Sequence, residues 1–178
     1  MRIEDLPGEL IMWILIASEV LVFAAGITVM TALRFTDPEG FIWAQGMLEG
    51  RGAAANTLIL VTSGLFAARA ERAAKAGRHK AARWGLLFAA LGGIAFLVIK
   101  GLEYSHDFSI GIGIDTHPFF TFYFLLTGFH AAHVLAGIFV LGIVAIRVTQ
   151  EGVQAGAQFW HMVDLIWVLI LPPIYFVG

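Results

Sequence analysis

The chain has 178 residues, 59% of them hydrophobic and 13% charged, with a net charge of -2, no cysteine and a mean hydropathy of +0.83. A soluble domain carries about 25% charged residues, so charges this sparse cannot cover a water-exposed surface. Without cysteine there is no disulfide scaffold, thiolate zinc site, iron–sulfur cluster or cysteine nucleophile, and without a basic face the charge argues against nucleic acid as the partner.

A bilayer core of roughly 30 Å needs about 20 apolar residues in a helix. Five segments supply them, at about 10–33, 53–68, 84–104, 119–146 and 159–177. Lipid offers no partner for backbone groups, so each segment is read as a helix. The expectation is an all-α, polytopic five-helix bundle forming a single membrane domain over 1–178, with no repeat or linker. The first segment reads as a retained helix, not a cleaved signal. Its start holds Glu4 and Asp5 against Arg2, its apolar run exceeds a signal core of roughly 7–15 residues, and Glu19 sits in its middle. The second segment is short and rich in alanine, and the fourth is long enough to tilt.

Loop charge predicts orientation. Arg69, Arg72, Lys75, Arg78, Lys80 and Arg83 fall between the second and third segments, which makes that loop cytoplasmic by the positive-inside rule. That reading includes contact of the loop with anionic lipid, and a specific docking site for a soluble partner is the second reading. The 34–51 loop carries Asp37, Glu39 and Glu49, the 105–117 loop has no Lys or Arg, and both are assigned to the outside. Arg147 follows the fourth helix on the inside. The N-terminus is then cytoplasmic and the C-terminus outside.

Ionisable groups inside membrane helices are costly and turn toward the bundle or a partner. At a rise of about 1.5 Å per residue, Glu19, His133, His161 and Asp164 are placed in the cytoplasmic half, with His130 near the midplane. Lys100 and Glu103, spaced i,i+3, form an outer-side ion pair. Three readings of the inner cluster stand side by side. The groups satisfy one another through interhelical hydrogen bonds, they handle protons, or they hold a metal or haem. A two-histidine haem site would pair His130 or His133 with His161. A carboxylate-bridged metal site would use Glu19, His130 and His133, although the Glu-x-x-His motifs of di-iron bundles are missing.

Weaker signals are structural. Gly111 and Gly113 make a turn. Trp13, Trp84, Trp160 and Tyr175, near segment ends, fit an aromatic belt. His79 and His106 are read as solvated loop residues.

Two blocks together resemble the cytochrome c oxidase subunit III family. The first is Tyr123-Phe-Leu-Leu-Thr-Gly-Phe-His-Ala-Ala-His-Val134, followed by Gly137 and Arg147. The second is Trp160-His-Met-Val-Asp-Leu-Ile-Trp167, running on to Pro172 and Tyr175. Ser18-Glu19, Asn56-Thr57, Ser63-Gly64 and Glu103-Tyr104 match in the same order. The resemblance implies a non-catalytic accessory subunit of a haem–copper oxidase superfamily complex, a terminal oxidase or nitric oxide reductase, in respiratory electron transport. It also implies support of assembly, stability or proton uptake, no catalytic, cofactor or metal residue in this chain, and haem, with or without copper, in the partner catalytic subunit. Membrane lipids and a bacterial-type inner membrane complete the setting. Larger members have seven helices, and this chain aligns from their third, leaving out the two that border their lipid-filled cleft. The five-helix form opening Leu-Pro-Gly-Glu-Leu is similar to the nitric oxide reductase-associated branch. Independent of the resemblance, the alternative is a self-contained haem-binding or proton-conducting carrier.

Overall fold

The computed structural model describes residues 10–48 and 50–176, and all their regular structure is helical. The acidic start, the Leu-Pro-Gly-Glu-Leu opening up to residue 9, Glu49 and Val177 lie outside the described residues. The helices are α1 (Leu10–Thr36), α2 (Pro38–Gly46), α3 (Gly50–Lys75), α4 (His79–Ser109), α5 (Pro118–Ile146) and α6 (Gln150–Tyr175). All but α2 are long and apolar enough to cross a membrane.

Helix ends follow capping chemistry, not hydropathy. Around the short α3 segment, Ala, Arg and Glu continue the helix past the apolar stretch until Gly77, at φ 70°, stops it. The Arg78 N–H then reaches Ala73 O at 2.9 Å and the Gly77 N–H reaches Ala74 O at 3.0 Å, a Schellman closure. The basic loop is therefore corrected. Arg69, Arg72 and Lys75 end α3, Lys80 and Arg83 begin α4, and the intervening turn keeps Arg78. His79 and His106 are likewise exposed residues of α4, not of loops. Helix α6 starts nine residues earlier than the apolar run, at a Thr149 cap whose Oγ1 accepts the Gly152 N–H at 3.1 Å. The 34–51 loop contains α2, started by Asp37, which accepts the Gly40 N–H at 3.1 Å, and by Pro38 in the first turn. Gly111, at φ 82°, forms the turn after α4.

Helices α3, α4, α5 and α6 close a ring: α3 meets α4 and α6, and α5 meets the same two. Buried Ala67, Ala70, Ala73 and Ala74 of α3 face buried Ala82, Ala89 and Ala90 of α4. Small side chains let helix backbones approach where lipid supplies no hydrophobic drive. On the far side, Trp160 fills a notch made by two glycines. A Cβ would lie 2.5 Å from its ring at Gly93 and 2.7 Å at Gly137. Trp160 is fully buried, so it belongs to the core and not to an aromatic belt. Helix α1 leans on α5 and α6 from outside the ring, with Phe23 and Met30 its buried residues.

Polar contacts tie the two ends. At one, Arg83 Nε donates to Ala145 O at 2.8 Å, joining the start of α4 to the end of α5. At the other, Gln45 of α2 donates to Ile174 O at 2.9 Å, satisfying a carbonyl beyond Pro172 and Pro173 where α6 ends. His117, which caps α5, lies 3.0 Å from Asp37 Oδ2. The 34–51 and 105–117 connections therefore share one end of the bundle.

Candidate functional site

The two sequence blocks interlock inside the ring. Trp160 and Trp167, seven residues apart, lie on one face of α6 and donate their indole N–H groups to α3. Trp160 reaches Ser63 Oγ at 2.9 Å, and Ser63 Oγ donates on to Ala89 O of α4 at 2.7 Å. Trp167 reaches Thr57 Oγ1 at 3.0 Å. Thr127 donates to Tyr123 O and pairs with Tyr104 Oη, both at 2.5 Å.

The structure divides the polar cluster expected in the cytoplasmic half into three. Glu19 Oε2 of α1 and His133 Nε2 of α5 are 3.1 Å apart, and His133 Nδ1 is 2.9 Å from Phe129 O of its own helix. His161 Nδ1 and Asp164 Oδ2, both on α6, are 3.9 Å apart, with Asp164 lying over Gly64 of α3. His130 is fully buried, edge-on to Phe96 at 5.4 Å and tilted on Trp167 at 5.3 Å. Its ring nitrogens have no hydrogen-bond partner among the described residues. Glu19 and His133 thus approach each other across α1 and α5, although Glu19 Oε2 makes no hydrogen bond among the described residues, while His161 lies against Asp164 of its own helix. Because α6 begins at Gln150, His161 and Asp164 also lie about 17 and 21 Å along it, deeper than a helix starting at 159 would put them.

Lys100 and Glu103 come together as their spacing suggests, but inside the protein. Lys100 Nζ is 3.1 Å from Glu103 Oε1, and Lys100 is 1% exposed. An unpaired lysine at a helix centre costs about 2.5–3.5 kcal/mol. Here Tyr175 Oη at 2.8 Å and Tyr123 Oη at 3.4 Å accept from the ammonium, and the Tyr104, Tyr123, Trp167 and Tyr175 rings surround it at 4.9–5.5 Å. Tyr123 and Tyr175 donate to Glu103 Oε1 at 2.9 and 2.7 Å. Asp107, absent from the sequence reading, joins through Tyr123 Oη at 3.1 Å. Its i,i+4 spacing from Glu103 was the available signal. The tyrosines come from other helices and gave none.

Outside the spans, Asp37 and His117 form the second pair that sequence reasoning missed. The His117 imidazole and the Gly40 N–H hold the Asp37 carboxyl below its ordinary range.

Among the described residues no three His, Asp or Glu side chains converge as a metal-binding group. The histidines named for a haem each have a different neighbour, and Phe96 and Trp167 pack directly against His130. That packing does not fit a macrocycle ligated there.

A five-span helical membrane protein with a buried lysine–carboxylate–tyrosine network between its helices is the class this architecture defines. The family model described as cytochrome c oxidase subunit III matches residues 8–178, and the chain belongs to that family. It is 37% identical over 132 residues to a cytochrome c oxidase subunit 3 of Arabidopsis thaliana, covering 69% of this chain and 48% of that one. It is 34% identical over 179 residues to a cytochrome c oxidase subunit 3 of Corynebacterium diphtheriae, covering 92% and 85%. It is 28% identical over 200 residues to a haem–copper oxidase subunit I+III of Aeropyrum pernix, covering 98% of this chain and 24% of that protein. The chain spans about half the length of the plant relative.

Proposed function

We propose that the chain is a non-catalytic accessory subunit, a single membrane domain packed beside the haem-bearing catalytic subunit of a haem–copper oxidase superfamily complex. The observation that carries this reading is the family match over residues 8–178. The Aeropyrum relative, named as subunits I and III together, supports a subunit I-type partner. The exterior suits such packing, with Leu21, Leu58, Leu102 and Ile143 each at least two-thirds exposed on different helices. We assign the chain to a bacterial-type inner membrane, with the α3–α4 turn cytoplasmic because basic residues flank it. Haem, with or without copper, belongs to the partner, and whether oxygen or nitric oxide is reduced follows from that partner. The nitric oxide reductase-associated branch is our finer placement, on the resemblance of the five-helix form.

Glu19 and His133 are the pair we assign to proton handling. The His133 ring lies between the Phe129 carbonyl, 2.9 Å from Nδ1, and the Glu19 carboxylate, 3.1 Å from Nε2, which puts an imidazole and a carboxylate side by side across α5 and α1.

The test is an absorption spectrum of the isolated, folded chain beside that of the complex. The isolated chain is expected to be colourless and the complex to carry haem bands. A stoichiometric haem spectrum from the isolated chain would contradict the accessory reading.

A further inference from the structure

We propose that Glu103, Tyr123 and Asp107 hold one proton between them, a proton-binding site at the end of the bundle where α4 runs into the 110–117 connection. Counting hydrogens leads to it. Three oxygen–oxygen contacts of hydrogen-bond length join this group: Tyr175 to Glu103 at 2.7 Å, Tyr123 to Glu103 at 2.9 Å and Tyr123 to Asp107 at 3.1 Å. The two tyrosines supply two hydroxyl hydrogens. A tyrosine has one O–H and an ionised carboxylate has none, so the third contact needs a hydrogen from a carboxyl group.

Charge leads to the same count. Lys100 is the ammonium at the site, and Glu103 Oε1 engages it at 3.1 Å. The Glu103 side chain is 10% exposed, and its Oε2 is buried without a hydrogen-bond partner among the described residues. The other groups facing the site are Tyr104 and His106 of α4, Tyr123 of α5 and Tyr175 of α6, and from α3 it is Gly52 that faces Glu103 Oε2. A second carboxylate beside Glu103 would leave net negative charge inside a membrane bundle, a costly state. One added proton makes the group neutral.

The proton resides mainly on Asp107. Glu103 Oε1 already receives Lys100, Tyr175 and Tyr123, whereas Asp107 Oδ2 meets Tyr123 alone among those donors. Asp107 thus donates to Tyr123 Oη, and Tyr123 donates to Glu103. Asp107 lies two residues from the end of α4, so the proton exchanges with the water on that side.

Infrared difference spectroscopy of the full chain in lipid vesicles at neutral pH tests this. Asp107→Asn is expected to remove one carboxylic-acid carbonyl band per chain, a band that shifts in heavy water. Tyr123→Phe is expected to move the same band, because its hydrogen-bond partner is gone. If Asp107→Asn and Glu103→Gln each remove only carboxylate absorption and leave the acid region unchanged, the proposal is overturned. Should Asp107→Asn fail to insert, the wild-type chain labelled with isotopic carboxyl aspartate reads the same state. A labelled acid band that moves on Tyr123→Phe supports the site, and labelled carboxylates alone contradict it.

Discussion

Glu19 Oε2 on α1 lies 3.1 Å from His133 Nε2 on α5, across the contact between the outlying helix and the four-helix ring. Helix α1 buries little, with Phe23 and Met30 its buried residues, so a polar contact weighs heavily in holding it. Glu19→Gln keeps the size and removes the charge. It is expected to lower detergent-melting stability by about 1 kcal/mol, the scale of an interhelical polar contact in a membrane bundle. The haem content of the complex should stay unchanged, because Glu19 is no ligand. Haem loss from a complex that still assembles would count against the account.

Trp160 tests the link between α6 and α3. Trp160→Phe keeps an aromatic ring in the notch of Gly93 and Gly137 but deletes the donor to Ser63. A loss of about 0.6–1.7 kcal/mol is expected. Ser63→Ala should cost a similar amount, and the double variant less than the sum, since both remove the same bond. Fully additive losses in thermal unfolding would show that the bond does not couple α6 to α3.

Gly64 and Gly142 predict opposite outcomes for the same substitution. A Cβ at Gly64 would collide with Asp164 Oδ2, whereas a Cβ at Gly142 meets nothing within 4 Å. Gly64→Ala must push Asp164 off α3 and is expected to cost about 1–3 kcal/mol. Gly142→Ala should be neutral or stabilising by up to about 1 kcal/mol from helix propensity. Equal melting temperatures for the two variants would contradict this packing.

Asp37 sets a pH dependence. Its carboxyl is held below the ordinary value of 3.8, first by the hydrogen bond to His117. A depressed carboxylate pKa contributes stability that is present above the unfolded value and is lost as pH falls through the lower, folded value. The contact between the start of α2 and the start of α5 should therefore persist at neutral pH and loosen below about 3.8. Trp43, whose ring centroid is 6.4 Å from that of His117, reports it by fluorescence. Asp37→Asn should show the loosened signal already at neutral pH, and an unchanged signal would refute the assignment.

The membrane spans were legible because lipid demands long apolar helices, and such runs are visible in one dimension. Helix ends were not. Hydropathy marks where hydrocarbon begins, but α3 continues to Lys75 and α6 starts at Gln150, because Gly77 and Thr149 decide where backbone groups are capped. Helix α2 hid for a related reason: nine residues containing Pro38, Glu39, Gly40 and Gly46 read as loop, while its Asp37 cap and its packing against α5 make it helical. At the site, Lys100 and Glu103 could be paired from i,i+3 spacing. Their tyrosine partners could not, since Tyr123 and Tyr175 arrive from α5 and α6. Spacing along one helix is local information. Placing Glu19, His133, His161 and Asp164 in one half of the membrane, with His130 near the midplane, could not tell which of them face each other, and the structure sends them to three different neighbourhoods.

The most direct test of the accessory reading is a mild-detergent pull-down of the tagged chain, with co-purifying proteins identified by mass spectrometry. The account predicts a haem-bearing catalytic subunit in stoichiometric yield, whose identity also names the substrate reduced. A chain that purifies alone from several mild detergents, folded and without such a partner, would contradict it.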